Sequence, residues 1–415
     1  MRIGLIAYGT RGDVQPILAL AKGLNAAGHH TRVIAPANFE AWVRSHDLDC
    51  APIRVDIQAM MQSEEGIAWV EARNPRQELA MMKRLFNRVG QQAARDTLAG
   101  AQGLDMLVGG FTSDCFGRAI AGKLGQRYAM ASLQPLHPTR SGEATLRPAL
   151  PRSYSALNLF MGKLAERFLY SVYGETANAF RREIGCQPFT LSSYYDGFHR
   201  LPTLNGYSAH VVSRPADWPA SQHITGYWFL DEDAQWRPPG DLERFIAAGS
   251  APIYVGFGSA TGSDAQRLTQ MIVAALTQAG VRGVIAQGWA GLHAGDLPDS
   301  IHLLQSAPHD WLFPRMAGVV HHGGAGTTAA GLRAGVPSFL IPHFADQPYW
   351  ARRVYELGVG PKPVNRVKLT LAALTDGIRQ LASDAGMRER AAELGTAIRA
   401  EDGVANAVHI LNQLF

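Results

Sequence analysis

Residues 319–332, VVHHGGAGTTAAGL, have the composition of a loop that binds an anion. An apolar run typical of a β-strand is followed by His321, His322 and three glycines, and a helical pattern continues from Thr327. Where a strand turns into a helix over glycines, bare backbone N–H groups converge and the helix dipole adds partial positive charge. Glycines also let the backbone approach phosphate oxygens closely. The alternative is a tight turn whose glycines serve packing only.

Further polar loops follow predicted strands, at 9–16 (GTRGDVQP), 256–259 (GFGS), 306–311 (SAPHDW) and 342–348 (PHFADQP). Ligands of open parallel sheets bind at the carboxyl ends of the strands, so these loops are the candidate site. In the last loop, the adjacent carboxylate and amide of Asp346–Gln347 could both pair with the vicinal hydroxyls of a polyol. The alternative is a polar loop that caps the next helix.

The elements that position these loops alternate between strands and helices. Apolar runs predict strands at 3–8, 31–35, 106–108, 209–213, 252–257, 281–286, 301–304, 317–320 and 338–342. Residues 14–26 have the 3.6-residue apolar period of a helix. This alternation predicts an α/β protein with two Rossmann-like domains that face each other across a cleft.

With 415 residues, the chain is longer than one hydrophobic core usually supports. We predict a first domain at 1–215, a linker rich in proline, tryptophan and acid at 216–240, and a second domain at 241–395. The last helix, 396–415, is expected to pack back on the first domain.

The composition is that of an ordinary globular protein, with 47% hydrophobic and 18% charged residues. A net charge of +4 is too small to indicate nucleic acid. Three distant cysteines indicate neither a disulfide framework nor a zinc site. No run is long enough to span a membrane and no secretory signal is recognised, so the expected location is cytoplasmic, with peripheral membrane contact left open.

The runs GTRGDVQP, GFGS, VHHGGAGTT and PHFADQP together resemble the metal-independent, inverting UDP-glycosyltransferases of the GT-B fold. The runs TGYWF, PPGDLERFIAAG and PHDWLFPR are most similar to its sterol 3-β-glucosyltransferase-like and bacterial antibiotic glycosyltransferase branch. The resemblance covers the chain except for residues 135–200. It implies transfer of a hexose, with UDP-glucose as the expected donor and dTDP-sugars as the alternative, and no other cofactor.

The resemblance also implies which residues bind the donor. The diphosphate would be held by His321 and the backbone amides of Gly323, Gly324, Ala325, Gly326 and Thr327, with Arg11 and Ser259 approaching from other loops. Ser306 and Ala307 match the position at which plant members recognise the base, although those members have tryptophan at the first position. Trp311 is the alternative stacking residue. Asp346 and Gln347 match the contacts to the sugar hydroxyls.

Asp13 is the candidate general base, because inverting transfer needs a group that takes the proton of the acceptor hydroxyl. Plant members have a histidine there, oriented by an acid whose matching place, Gly109–Gly110, holds no acid in this chain. A carboxylate has no tautomer to fix and can do without that acid. The alternative for Asp13 is the N-cap of a helix beginning at Val14. Asp346 is the second candidate for proton removal, and Asp114 is expected to be a helix N-terminal charge.

The expected acceptor is a small lipophilic molecule with a hydroxyl, such as a sterol, a polyketide or another natural product. The resemblance implies that the domain at 1–215 binds this acceptor and that the domain at 241–395 binds the nucleotide sugar. Two alternatives remain open: a nucleotide-sugar epimerase, and a non-catalytic protein of the same fold that only binds a nucleotide sugar. A dinucleotide oxidoreductase is disfavoured because the second strand ends without an acid for the ribose. A monomer and a dimer are both compatible with the sequence.

The region 152–182 combines an aromatic stripe with several arginines and a lysine. Plain core packing is the expected role of its aromatic residues. The alternative is an amphipathic helix that contacts anionic lipid, which would suit a lipophilic acceptor.

Overall fold

The computed structural model describes residues 1–56, 59–60, 63–66, 75–231, 236–257, 265–286 and 297–414. Contacts between Cα atoms divide the chain into two units. Unit 1 contains Met1–Leu230 and Asp402–Phe415, and unit 2 contains Asp231–Glu401. The boundary between Leu230 and Asp231 lies inside the segment 216–240 that we predicted as a linker.

Unit 1 contains a parallel sheet of seven strands. The strands are β1 (Arg2–Ile6), β2 (His30–Pro36), β3 (Asp49–Ile53), β4 (Met106–Gly110), β5 (Arg127–Ser132), β6 (Thr203–Asn205) and β7 (Gln222–Ile224). Their order is β3-β2-β1-β4-β5-β6-β7. The order reverses direction between β1 and β4, so the loops after these two strands flank the point at which such sheets bind ligands.

Helices cover both faces of this sheet. They are α1 (Arg11–Ala26), α2 (Glu40–Ser45), α3 (Pro75–Gly100), α4 (Asp114–Leu124), α5 (Ala156–Glu183) and α6 (Leu191–Arg200). Ile3 and Leu5 pack with α1 in one core cluster, while Ile6 packs in another with α3, α4 and α5. Burial on both faces explains why the strands are continuous apolar runs.

Unit 2 has a second parallel sheet, of five described strands. They are β8 (Ile253–Gly256), β9 (Gly283–Ala286), β10 (Ile301–Leu304), β11 (Gly318–His321) and β12 (Ser338–Leu340), in the order β10-β9-β8-β11-β12. The helices are α7 (Gly240–Ala247), α8 (Ala265–Ala279), α9 (His309–Leu312), α10 (Ala325–Ala334), α11 (Gln347–Glu356), α12 (Leu371–Ser383) and α13 (Ala385–Arg399). The predicted α/β class with two Rossmann-like halves is confirmed.

The last helix, α14 (Gly403–Leu414), belongs to unit 1 and packs against α1, as predicted. It begins at Gly403 rather than at 396, because residues 396–399 end α13 in unit 2 and Asp402 Oδ1 accepts from Ala405 N at the new helix start. A Cβ built on Gly23 of α1 would lie 2.3 Å from Val404 Cγ1, so the missing side chain lets the helices approach. Asn406 Nδ2 also donates to Thr225 O at 2.9 Å. Chain ends separated by about 380 residues of sequence therefore share one core.

Two local predictions were wrong. Residues 209–213 form a turn rather than a strand, because Ser208 O accepts from the N–H groups of Val211 and Val212 and Ser208 Oγ accepts from His210 N. The first helix begins at Arg11 rather than Val14, with Thr10 as its N-cap.

Candidate active site

The candidate anion-binding loop in unit 2 has the predicted strand-turn-helix geometry. Strand β11 ends at His321 and α10 begins at Ala325, two residues before Thr327. Gly323 in the turn has φ +93°, which favours glycine. Gly324 is the N-cap of α10 and no side chain caps the helix. The first backbone N–H groups of α10 are therefore left without a side-chain acceptor, as an anion requires.

The space in front of this helix start is open. Gly326 is exposed, and a Cβ built on it would meet no heavy atom within 4 Å. A Cβ on Gly324 would instead lie 2.7 Å from His322 Nε2. Glycine is needed at 324 because a side chain there would collide with the His322 ring. Glycine at 326 leaves the backbone N–H groups at the start of α10 accessible.

His321 is a buried, neutral hydrogen-bond donor. Its ring is fully buried, and Nδ1 accepts from the N–H of Gly323 at 3.0 Å. Because Nδ1 accepts, the ring hydrogen is assigned to Nε2, which has no partner among the described residues. Burial, with smaller contributions from His322 and His309, holds the pKa of His321 well below its usual value. The loop thus contains an unused N–H donor beside an uncapped helix start.

Two further histidines, His322 and His343, stand in the loops that follow β11 and β12. Burial lowers the pKa of His322 to about 4, and its Nδ1 is buried without a partner among the described residues. Burial and then the charges of Arg366 and His322 lower the pKa of His343 to about 3, and its Nε2 is likewise unpaired in the described part of the chain. Sequence reasoning missed His343, although it stands in the same run as Asp346.

Asp346 and Gln347 stand at the start of α11, and their polar atoms are partly used within the protein. Trp350 Nε1 donates to Asp346 Oδ2 at 2.8 Å. Gln347 Oε1 accepts from the backbone N–H groups of His343 at 2.9 Å and Phe344 at 3.4 Å. Gln347 can therefore contact a sugar only as a donor, through Nε2. The predicted contact of Gln347 with a sugar hydroxyl stays a prediction, and Nε2 is the atom left to make it.

The proposed base-recognition residues follow β10. Ser306 is exposed and Ala307 is half-buried. The Arg315 guanidinium lies 4.3 Å from the centre of the Trp311 ring, and Trp236 packs with the same ring at 5.3 Å between centroids. The Trp311 ring therefore packs against other side chains of unit 2. Ser259 lies outside the described residues, so its predicted role stays a prediction.

Asp13 in unit 1 is the third residue of α1 rather than its N-cap. Its Oδ2 accepts from Thr10 N at 2.8 Å and from Thr10 Oγ1 at 3.2 Å. Both bonds end on the same oxygen, so Oδ1 accepts from neither Thr10 group. Burial raises the pKa of Asp13, although the hydrogen bonds from Thr10 oppose this effect. A carboxylate with a raised pKa is a better base near neutral pH than an exposed one.

The neighbours of Asp13 explain how the carboxylate is held. Gly9 has φ +147°, and a Cβ built on it would lie 2.1 Å from Asp13 Oδ2. No side chain can therefore occupy position 9 while the carboxylate keeps its place. Arg11, the first residue of α1, lies with its guanidinium 4.9 Å from the Trp42 ring centre. The predicted contact of Arg11 with a diphosphate stays a prediction.

Asp114 forms a structural ion pair with Arg118. Its carboxyl is buried, with Oδ2 2.8 Å from Arg118 Nη2 and 2.9 Å from Tyr194 Oη. It is the first residue of α4, as expected for an N-terminal charge. Within the described ranges, no group of three or more side chains has the composition of a metal site.

Comparisons with known proteins show the family to which the chain belongs. Residues 3–113 match the glycosyltransferase family 28 N-terminal domain, and residues 271–414 match the erythromycin biosynthesis protein CIII-like C-terminal domain. The sterol 3-beta-glucosyltransferase UGT80B1 of Arabidopsis thaliana is 32% identical over 98% of this chain and 67% of its own length. The chain belongs to this glycosyltransferase family.

The sterol 3-beta-glucosyltransferase of Aspergillus fumigatus is 35% identical over 99% of this chain, but the chain spans only 30% of that protein's length. Among solved structures, the glycosyltransferase of kitacinnamycin has a TM-score of 0.73 at 19% identity, covering 99% of this chain and 98% of its own. VinC in complex with dTDP has a TM-score of 0.67 at 18% identity, covering 100% and 99%. These structures show that the chain has the GT-B fold.

Proposed function

We propose that this protein is a metal-independent, inverting glycosyltransferase that moves glucose from UDP-glucose to the hydroxyl of a small lipophilic acceptor. The observation that carries the proposal is the unpaired Nε2–H of His321 beside the uncapped start of α10. Neutral donors and helix amides suit the leaving diphosphate, because they stabilise the charge that develops as the sugar departs.

The other residues have complementary roles in this proposal. The amides of residues 323–327 bind the diphosphate, Asp346 and Gln347 bind sugar hydroxyls, and Ser306 with Ala307 faces the base. Asp13 takes the acceptor proton through Oδ1. In support of the substrates, the relatives are named as sterol glucosyltransferases and VinC was crystallised with dTDP. A lipophilic acceptor would also suit peripheral contact with a membrane.

Donor binding is tested by thermal shift and calorimetry with UDP, dTDP and their glucose conjugates. A ligand that binds the native state raises its stability by mass action. His321→Ala should weaken UDP binding about 10- to 100-fold, the worth of one hydrogen bond to a charged acceptor. His321→Gln, which keeps an amide donor, should lose less. His409→Ala, an exposed control on α14, should bind like the wild type. Unchanged affinity in His321→Ala would remove it from the diphosphate site.

Turnover is tested with UDP-glucose and a 3-hydroxysterol, with and without EDTA. We expect a β-linked product by NMR, since inversion converts the α-linked donor, and no loss of rate with chelator. Conversion of the donor without acceptor would indicate an epimerase. Tight UDP binding with no conversion of any acceptor in a panel of sterols and polyketides would indicate a non-catalytic binder.

A further inference from the structure

The exposed apolar side chains of this protein are concentrated in one short segment. Nine large hydrophobic side chains are exposed among the described residues, and five of them lie at 150–164: Leu150, Tyr154, Leu157, Phe160 and Leu164. Phe160 is 61% exposed and Leu157 55%. Single exposed apolar residues are common, but such a local cluster marks a binding surface.

The spacing places three of these side chains on one face of α5. Leu157, Phe160 and Leu164 are separated by three and four residues, so they share a stripe along the helix. The stripe lies apart from the buried face of α5, which includes Val172, Tyr173 and Phe180 further along the helix. The aromatic residues of this region therefore divide: the later ones pack in the core, as predicted, and the earlier ones reach solvent.

The loop before α5 is fixed to the helix and extends the same surface. Asn158 is buried, and its Nδ2 donates to the carbonyl oxygens of Arg140, Leu150 and Ser153 at 2.9–3.1 Å. Its Oδ1 accepts from Leu150 N at 2.9 Å. Leu150 is thus held beside the helix by hydrogen bonds rather than left on a loose loop.

Basic side chains flank this apolar surface. Arg152, Lys163 and Arg167 are exposed, and none of them makes an ion pair with a described residue. The one acid of this stretch, Glu166, is buried at 2.5 Å from His199 Nε2, and Glu143 in the preceding loop accepts from Ser213 N. The surface is therefore apolar at its centre and positive at its edge.

A cavity of about 360 Å³ shares residues with this surface. Arg140, Tyr154 and Lys163 are among its lining residues. Asp217 also lines it, and its carboxylate accepts from Thr139 Oγ1 and from Arg140 N, so the Arg140 and Lys163 side chains outnumber this one acid in the lining. The cavity thus offers cationic groups next to the apolar stripe, as the phosphate of a lipid headgroup beside its acyl chains would need.

We propose that residues 150–167 form a docking surface for an anionic lipid bilayer, with Leu157, Phe160 and Leu164 entering the interface. The positive edge favours a bilayer over a second copy of this chain, because a two-fold contact would bring the same cations together. In the described part of the chain, no helix combines the length and hydropathy needed to cross a membrane, so the contact is peripheral. The inference rests on the proposed function only for its purpose, which is access to a membrane-resident acceptor.

The test is co-sedimentation with vesicles of phosphatidylcholine, with and without phosphatidylglycerol, in the absence of donor and acceptor. The wild type should bind the anionic vesicles more tightly, and added salt should weaken this binding. The double variant Leu157→Gln/Phe160→Gln should lower the partition coefficient about tenfold or more. Val367→Gln, at an 82% exposed site in unit 2, is the matched control and should have no effect.

A second double variant, Lys163→Glu/Arg167→Glu, should remove the preference for anionic vesicles, at about fivefold for each cation lost. Lys368→Glu is its exposed control. Thermal midpoints and the UDP-induced shift should match the wild type in all variants, which separates this test from that of the proposed function. The inference is overturned if the wild type ignores anionic vesicles, if controls and test variants bind alike, or if the apolar variant only converts a dimer to monomers.

Discussion

Replacing Asp13 with asparagine separates the two roles that its carboxylate could have. Asparagine has nearly the same shape as aspartate. Its side-chain oxygen can keep the hydrogen bonds from Thr10 N and Thr10 Oγ1, which are 2.8 and 3.2 Å long to the aspartate oxygen. It cannot take a proton from an acceptor hydroxyl. A residue that only supports the helix start would therefore tolerate the change, whereas a general base would not.

The expected magnitudes differ for the two roles. Loss of a general base costs about 100- to 10,000-fold in kcat, or about 3–5 kcal/mol of activation free energy. In Asp13→Asn the helix start is retained, so the free energy of unfolding should change by less than about 1 kcal/mol. Asp13→Ala removes both Thr10 bonds as well and should lower the free energy of unfolding by about 1–2 kcal/mol.

The pH dependence gives an independent readout. Burial raises the pKa of Asp13 in the folded protein above its unfolded value, against the opposing Thr10 bonds. The protonated carboxyl of Asp13 therefore stabilises the folded protein. This stabilisation is complete at a pH below the pKa of Asp13 in the unfolded chain, and it is lost as the pH rises through the pKa of Asp13 in the folded protein. Asparagine never ionises. As the pH rises over that range, the thermal midpoint of Asp13→Asn minus that of the wild type should therefore increase.

The assay is glucose transfer to a sterol, with UDP affinity and thermal midpoint measured on the same samples. We expect Asp13→Asn to bind UDP like the wild type and to lose turnover, while the acid limb of the wild-type kcat/KM profile reports the raised pKa of Asp13. Retention of a third or more of wild-type kcat in Asp13→Asn, with the acid limb unmoved, would refute the role of general base.

Three further predictions concern packing around these sites. Gly9→Ala should lower turnover at least tenfold, because its Cβ would stand 2.1 Å from the carboxylate of Asp13, the proposed general base, while UDP affinity measured by calorimetry stays unchanged. Gly23→Ala should lower the free energy of unfolding by about 1–3 kcal/mol in urea titration, since its Cβ would lie 2.3 Å from Val404 Cγ1; an unchanged midpoint would contradict the α1–α14 packing. Arg118→Leu should lower the free energy of unfolding by about 3–5 kcal/mol in the same titration, because it leaves the buried Asp114 charge unpaired. A variant as stable as the wild type at neutral pH would show that this ion pair is dispensable.

Much of the fold could be predicted because local sequence decides it. Apolar runs buried on both sheet faces give strands at nearly the predicted positions, as at 301–304. The strand predicted at 209–213 failed because Val211 and Val212 are buried in a turn that Ser208 stabilises, and apolar content alone does not distinguish the two states. Strands β6 and β7 have only three residues each and carry little periodic signal.

The candidate site was predicted where residue type and chemistry coincide, as at His321. Its ring orientation could not be predicted, because it depends on the Gly323 N–H reaching Nδ1. The sequence also could not predict that backbone amides donate to Gln347 Oε1, since these bonds depend on the conformation of the loop at 342–347. Sequence shows which groups are present, whereas the loop conformation decides which of their atoms remain available.

In the proposed function, the single carboxylate of Asp13 takes the place of a histidine–acid pair. A Cβ built on Gly109, the residue before the end of β4, would lie 2.2 Å from Tyr128 Oη, so a side chain at 109 would require the Tyr128 ring to move. Asp13 instead receives both of its orienting bonds from Thr10, three residues earlier in the same helix start. The long-range contact between two strand ends is thus replaced by a contact within one turn. Because the same turn needs glycine at position 9, the sequence Gly9-Thr10-x-x-Asp13 contains the parts that hold the proposed base.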